Sequence, residues 1–447
     1  MCMKHLKFIL IISFCLVVFA KAQVWKSLGL PPMNVSKIIV DSLNQRAILF
    51  GGGFGGNYWS DGVYEMPLTD TIHYTWSRLS VAGPHHKRGY HTFTYDPAQQ
   101  RGIVFGGDTT NGYPNYMNDM WSLNLQLGAE SWQRLNTIGT PPIPRANPGD
   151  IYHPTRNSLI LFGGIDINGL HLDDVWELKL DSLIWRQINI IGTRPAKRQH
   201  FASAFDQLNN RMIIFGGRGD NGSFYNDVWA LDLSLGNEQW KQLYPTGIQP
   251  PVLCTPAYGY DSRRRKLYVF GGWSYYGGFT FYNDVYVLDI SSLTWTKLYP
   301  SGDVPQERRC AAGTYDIFND NFIIFGGDNY SQFYSDTHIL FLCPISSTSE
   351  WNLTTTYITP DILINSPTAG SVRIRYILPK SDNIKVNIID VNGRLIRTLY
   401  AGKPSNNTGW LIWDKRNNEN KEVSAGIYFC SLETEDMSLS KKFVIVK

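Results

Sequence analysis

Short apolar runs alternate along this chain with glycine-marked turns, and the alternation keeps a fixed beat. An apolar run ending in Phe-Gly-Gly closes at Gly51-Gly52 and recurs at Gly106-Gly107, Gly163-Gly164, Gly216-Gly217, Gly271-Gly272 and Gly326-Gly327. The first glycines of successive pairs lie 55, 57, 53, 55 and 55 residues apart. A period of this size means stacked or circularly arranged copies of one small unit.

The fourth copy shows the unit. Phe201-Ala202-Ser203-Ala204-Phe205-Asp206 is strand-like, and a polar turn leads to a second run, Met212 to Gly217. After Tyr225-Asn226-Asp227 a third run, Val228 to Leu233, alternates in period two. Trp240-Lys241-Gln242-Leu243 makes a fourth, followed by a Pro-rich corner. Four short strands make a meander too small to close a core alone. Asp61, Asp119, Asp174, Asp227, Asp284 and Asp336 precede the third run of each copy. They read as turn caps for backbone N–H groups. Trp76, Trp132, Trp185, Trp240 and Trp295 mark the fourth run, and with the Phe before Gly-Gly they can fill the gap between neighbouring sheets.

This pattern resembles the kelch repeat of β-propellers over roughly residues 23 to 350. The resemblance implies an all-β fold, a six-bladed disc of four-stranded sheets around a central channel. Trp25-Lys26-Ser27-Leu28 looks like a fourth strand without a blade of its own, and we expect it to complete the sixth blade and remove an open edge. Trp351 competes for that role by its spacing from Asp336.

Both ends add further expectations. Lys4 and Lys7, the apolar stretch Phe8 to Phe19 and Ala20-Lys21-Ala22 have the form of a signal peptide over residues 1–22, cleaved before Gln23. We therefore expect a propeller over 23–345, a Ser/Thr-rich linker over 346–360 and a second unit over 361–447. In that unit Val372-Arg373-Ile374-Arg375-Tyr376 alternates, Asn392-Gly393 marks a hairpin turn, and more short strands follow, which suggests a small Ig-like sandwich. Ile388-Ile389-Asp390-Val391-Asn392-Gly393-Arg394, Trp413-Asp414, Ser424 to Phe429 and the terminal Lys441 to Lys447 resemble the C-terminal sorting domain of type 9 secretion cargo and the related hook-capping Ig-like domain. Lys415-Arg416-Asn417 departs from that pattern, where related domains often carry Gly. The resemblance implies export through the periplasm, engagement of the type 9 machinery, and a secreted or outer-surface location.

Charge removes one class of partner. The chain has 41 basic and 38 acidic residues, and three of the lysines lie in residues 1–22, which leaves the remainder balanced. A nucleic-acid binder would show a basic bias. No later stretch reads as a transmembrane segment. Cys254, Cys310, Cys343 and Cys430 lack metal-type spacing and either pair after export or stay as buried thiols.

Candidate chemistry is sparse. Arg88, Arg145, Arg198 and Arg308 share one register, seven residues before Tyr95, Tyr152, Phe205 and Tyr315, while Met33 and Leu253 fill that slot in the other two copies. In kelch domains that bind acidic peptides or sugar acids, arginines at this point border the central pocket. By that resemblance the four could form a broken ring for carboxylates; the alternative is that each bonds backbone of a neighbouring blade. The loop Trp273-Ser274-Tyr275-Tyr276-Gly277-Gly278-Phe279-Thr280-Phe281-Tyr282 offers aromatics for a protein or carbohydrate ligand, or for packing between blades. His91, His153, His171, His200 and His338 are scattered without zinc-site spacing, and no nucleophile elbow or phosphate loop is present. The copper-ligand set of kelch oxidases cannot be assigned here, and the iron-binding segment of plant kelch specifier proteins is missing. No catalytic, cofactor-binding or metal residues are therefore expected. The favoured function is an exported binding module, with Arg88, Arg145, Arg198, Arg308, Trp273, Tyr275 and Tyr276 as ligand contacts. The alternative is an enzyme acting on a sugar acid, resembling the kelch sialic acid mutarotases, and a third possibility is a purely structural surface protein.

Overall fold

The computed structural model describes residues 23–29, 35–54, 58–69, 74–84, 86–110, 115–342, 361–364, 372–378, 383–391, 393–404, 408–434 and 438–445. The expected signal peptide, the linker, Met33, Cys343 and Trp351 lie outside them. The chain divides into two compact units between residues 347 and 348.

The first unit is a ring of six antiparallel sheets, each with four main strands. In blade four these are Ala202–Asp206, Arg211–Phe215, Val228–Asp232 and Gln239–Leu243, joined in sequence order. Blade six takes three strands from the last repeat and its fourth from the front of the chain. Val24–Gly29 runs antiparallel to Asp336–Phe341, with Trp25 opposite Leu340. The orphan strand thus closes the ring, as its spacing predicted.

Aromatic pairs staple neighbouring blades. Each Phe before Gly-Gly meets the outer-strand Trp of the next blade: Phe50 with Trp132, Phe105 with Trp185, Phe162 with Trp240, Phe215 with Trp295, Phe270 with Trp25 and Phe325 with Trp76. Their ring centroids lie 4.6 to 5.8 Å apart. Gly-Gly is required by conformation. Gly217 has φ of 101°, and a Cβ there would sit 2.8 Å from the Gln199 carbonyl.

The channel end on the Gly-Gly side is bounded by an unusual collar. Val35, Tyr90, Asn147, His200, Thr255 and Cys310, one per blade, all adopt left-handed backbone with φ between 51° and 58°. Such a residue costs about 1–2 kcal/mol for an L-amino acid, and more where Cβ is branched. Backbone hydrogen bonds from blade to blade offset that cost: Val35 N–H donates to Cys310, Asn147 to Tyr90, His200 to Asn147, Thr255 to His200 and Cys310 to Thr255, at 2.8 to 3.5 Å.

The second unit is a sandwich of two antiparallel sheets. One holds Asp361–Ile364, Val372–Ile377 and Thr408–Trp413; the other holds Leu395–Gly402, Ile384–Asp390, Gly426–Glu433 and Ser438–Ile445, in that order. Both contribute to one core around Trp413, Val386 and Phe443. Gly393 takes φ of 78° in the hairpin turn. Lys415 is also left-handed, with φ of 62°, which explains why glycine would suit that loop.

Candidate functional site

The four register arginines are buried, at 0 to 1% exposure, and each is committed within its own blade. Arg198 donates from its two terminal nitrogens to both carboxylate oxygens of Asp227, at 2.6 and 3.0 Å. It also bonds the Gly216 carbonyl and, through Nε, the Ala196 carbonyl. Arg88 with Asp119, Arg145 with Asp174 and Arg308 with Asp336 repeat the arrangement. The expected ring of ligand arginines is therefore replaced by four internal fork-to-fork ion pairs. The carboxylates they bind belong to the same chain, and a second carboxylate would have to displace them.

The reading of the repeated aspartates also changes. Asp119, Asp174 and Asp227 accept from arginine and from the indole N–H of Trp121, Trp176 and Trp229, at 2.7 Å. Turn capping falls to another set at the end of the first strand: Asp41, Asp96, Asp261 and Asp316 accept from backbone N–H groups. Where the arginine slot is empty, a different cation reaches the aspartate. In blade one Arg78 lies 3.6 Å from Asp61, and in blade five Lys297 lies 2.9 Å from Asp284.

Two other arginines stand at the channel mouth, and neither was singled out from sequence. Arg218 follows Gly216-Gly217 directly; Arg309 follows Arg308. The Arg309 guanidinium stacks 3.6 Å from the Tyr330 ring centroid and 5.4 Å from that of Trp273, with Nε donating to Asp328 at 3.0 Å. Arg218 lies over the same indole, 6.0 Å from the Trp273 ring centroid. Its side chain has no hydrogen-bond or ion-pair partner among the described residues, and its Nε is buried.

The aromatic loop folds as a hairpin standing on this cluster. Trp273–Tyr275 pairs with Phe279–Phe281, and Tyr276-Gly277-Gly278 forms the tip. Trp273 is the buried floor, flanked by Phe224, Phe279 and Tyr330 at ring distances of 5.1 to 6.2 Å. Tyr275 is half exposed, and Tyr276 is 99% exposed. Of the three aromatics named from sequence, two thus face solvent and the third supports them. Beside them Asn147 donates to Gln199, Gln199 meets His171 at 3.2 Å, and His171 meets Asp220 at 2.7 Å.

Burial, together with Lys37, Arg218 and Arg309, pulls His200 down to about 3, so the ring stays neutral. Burial also pushes Cys310 up to about 12. Cys254, Cys310 and Cys430 are free thiols. Among the described residues no cluster of three or more His, Cys, Asp or Glu could hold a metal ion.

Below the collar the innermost strands of all six blades line a partly open cavity of about 290 Å³. Its polar wall includes Lys37, Thr94, Asp150, Ser203 and Tyr258. Lys37 holds the inner-strand position that Thr92, Gly149, Ala202, Ala257 and Ala312 occupy in the other blades.

Six sheets, the Phe–Trp staples and strand closure from the opposite end define a kelch β-propeller. The chain belongs to the kelch-repeat family: it matches the KLHDC2/KLHL20/DRC7 Kelch-repeats domain over residues 21–205 and 152–361. Residues 366–446 match the Secretion system C-terminal sorting domain, which marks the chain for export to the cell surface or the medium. Similar proteins include the flagellar outer arm dynein alpha chain of Chlamydomonas reinhardtii, 30% identical over 68% of this chain and 7% of that protein. Acyl-CoA-binding domain-containing protein 5 of Arabidopsis thaliana is 27% identical over 60% of this chain and 40% of its own length. The chain thus spans less than half the length of these curated relatives. The solved structure of YjhT shares the fold, with a TM-score of 0.55 and 16% identity over 69% of this chain and 95% of that one. No helix among the described residues is long and apolar enough to cross a membrane.

Proposed function

We propose that this protein is an exported kelch module that binds a protein or carbohydrate partner at the propeller mouth, and that its C-terminal sandwich is the Ig-like domain read by the type 9 machinery. The observation that carries the binding reading is the cluster of Trp273, Tyr275, Tyr276, Phe279 and Tyr330 beside Arg218, a guanidinium with no acceptor among the described residues. Aromatic rings bury large area at low entropy cost and stack on sugar faces or apolar side chains. An unspent guanidinium adds a directional contact to an acidic group. The collar beneath fixes the backbone in advance, so little ordering remains to be done on binding.

A glycan array and a surface-protein capture screen, both with the intact exported chain, test this reading. The expected result is one saturable partner whose affinity falls at least tenfold in Arg218→Ala and in Tyr276→Ser. Partners that bind both variants as tightly as the native chain would refute the mouth as the site.

A further inference from the structure

Lys37 is the charge on which the channel is centred. It projects from blade one, yet a titratable group in every other blade lies in its field: His91 in blade two, Asp150 in three, His200 in four, Tyr258 in five and Cys310 in six. The side chain reaches from blade one to Tyr258 of blade five, and the cavity it lines has walls from all six blades. Its Nζ lies 5.7 Å from the Tyr258 ring centroid and makes no hydrogen bond or ion pair among the described residues. Blades two to six keep the equivalent position small, at Thr92, Gly149, Ala202, Ala257 and Ala312, and so leave the space around it open.

Asp150, the carboxyl whose charge acts on Lys37, makes no ion pair with it. Asp150 accepts a hydrogen bond from the Thr94 hydroxyl instead. Burial raises the Asp150 carboxyl, although Lys37 and Thr94 act in the other direction. Burial would lower the Lys37 ammonium, but Tyr258, Asp150 and Cys310 outweigh it and hold the group raised, hence protonated. Ser203 donates its one hydroxyl proton to the Asp150 carbonyl at 3.0 Å, so in its 3.3 Å contact with Tyr258 the tyrosine hydroxyl is the donor. Ile39, Phe93, Pro256 and Ala312 supply apolar wall.

A protonated amine without a hydrogen-bond or ion-pair partner among the described residues favours an anion. A single positive charge, with a carboxyl group nearby, suits a monoanion better than a dianionic phosphate. The apolar wall suits an organic body. We infer that the channel of this propeller is a binding site for a small organic monocarboxylate, anchored by Lys37. This site lies below the mouth and does not depend on what the mouth binds.

Calorimetric titration of the intact exported chain at neutral pH with acetate, butyrate and benzoate tests the inference, with inorganic phosphate and butylamine as controls. Expected is saturable binding of at least one carboxylate, weaker or absent binding of both controls, and at least a tenfold loss in Lys37→Met. A thermal melt of that variant without ligand checks that it still folds. No saturable carboxylate binding, a preference for phosphate or butylamine, or a loss under tenfold would overturn the inference. Should Lys37→Met not fold, Asp150→Asn serves instead: removing the competing carboxyl should tighten carboxylate binding at least threefold, and anything less rejects the anchor. Tyr276→Ser should leave carboxylate affinity unchanged, so failure of the mouth reading and failure of this one give different results.

Discussion

Arg198 and Arg218 lie twenty positions apart in one blade and have opposite fates. Arg198 occupies a slot shared by four blades, is fully buried, and spends its donors on Asp227 and two carbonyls. Arg218 occupies a position held elsewhere by Gly53, Asp108, Ile165, Trp273 and Asp328, and its guanidinium finds no acceptor among the described residues. In a protein made of copies, a residue that recurs in register meets the same neighbours each time and works for the scaffold. A residue that appears once has no such partner supplied by the repeat. Lys37 obeys the same rule on the inner strand.

The comparison can be broken at several points. The strongest blow should come from deleting residues 23–30, which removes the outer strand of blade six and the buried Trp25. We expect a loss above about 5 kcal/mol, since truncating a buried Trp alone costs about 3–5. A thermal melt checks it; an unchanged melt would mean another strand closes the ring. Next, Arg198→Met should cost about 3 kcal/mol in urea unfolding because Asp227 loses its partner, while mouth binding is retained. If instead binding falls and stability holds, the slot arginines act on ligand after all.

Acid comes third. Burial would raise Asp119, Asp174 and Asp336, but hydrogen bonds and charge from Arg88, Arg145, Arg308 and His338 hold them below the usual carboxylate range. Carboxyls held low when folded bind protons more tightly when unfolded, so their contribution is complete above about pH 4 and drains away as pH falls through the folded values. Stability measured from pH 6 to pH 2 should decline only at the acid end. The smallest effect on stability belongs to Arg218→Ala and Tyr276→Ser, within about 0.5 kcal/mol; a large destabilisation by either would assign it to the scaffold.

Much of this was legible in the sequence because period and register are local. Phe-Gly-Gly, the outer Trp and the short spacing of Trp25 gave the blades and their closure. Both halves of each arginine–aspartate pair were visible, but 28 to 31 residues separate them, and nothing in the spacing tells that a chain crossing two strands brings them together. Arg218, Arg309 and Lys37 were missed for a different reason. Each is an ordinary residue in its own context and becomes conspicuous only when the six copies are aligned position by position.

The strand pairing of Val24–Gly29 with Asp336–Phe341 has one more consequence. The ring is a belt whose buckle consists of its two ends, about 300 residues apart along the chain, and tying a loop of that length costs about 5 kcal/mol of entropy before any contact rewards it. A chain that crosses a membrane end first therefore carries five sheets able to form in turn and a sixth that waits for both ends to reach the same side. Completion of the propeller reports that its whole length has arrived.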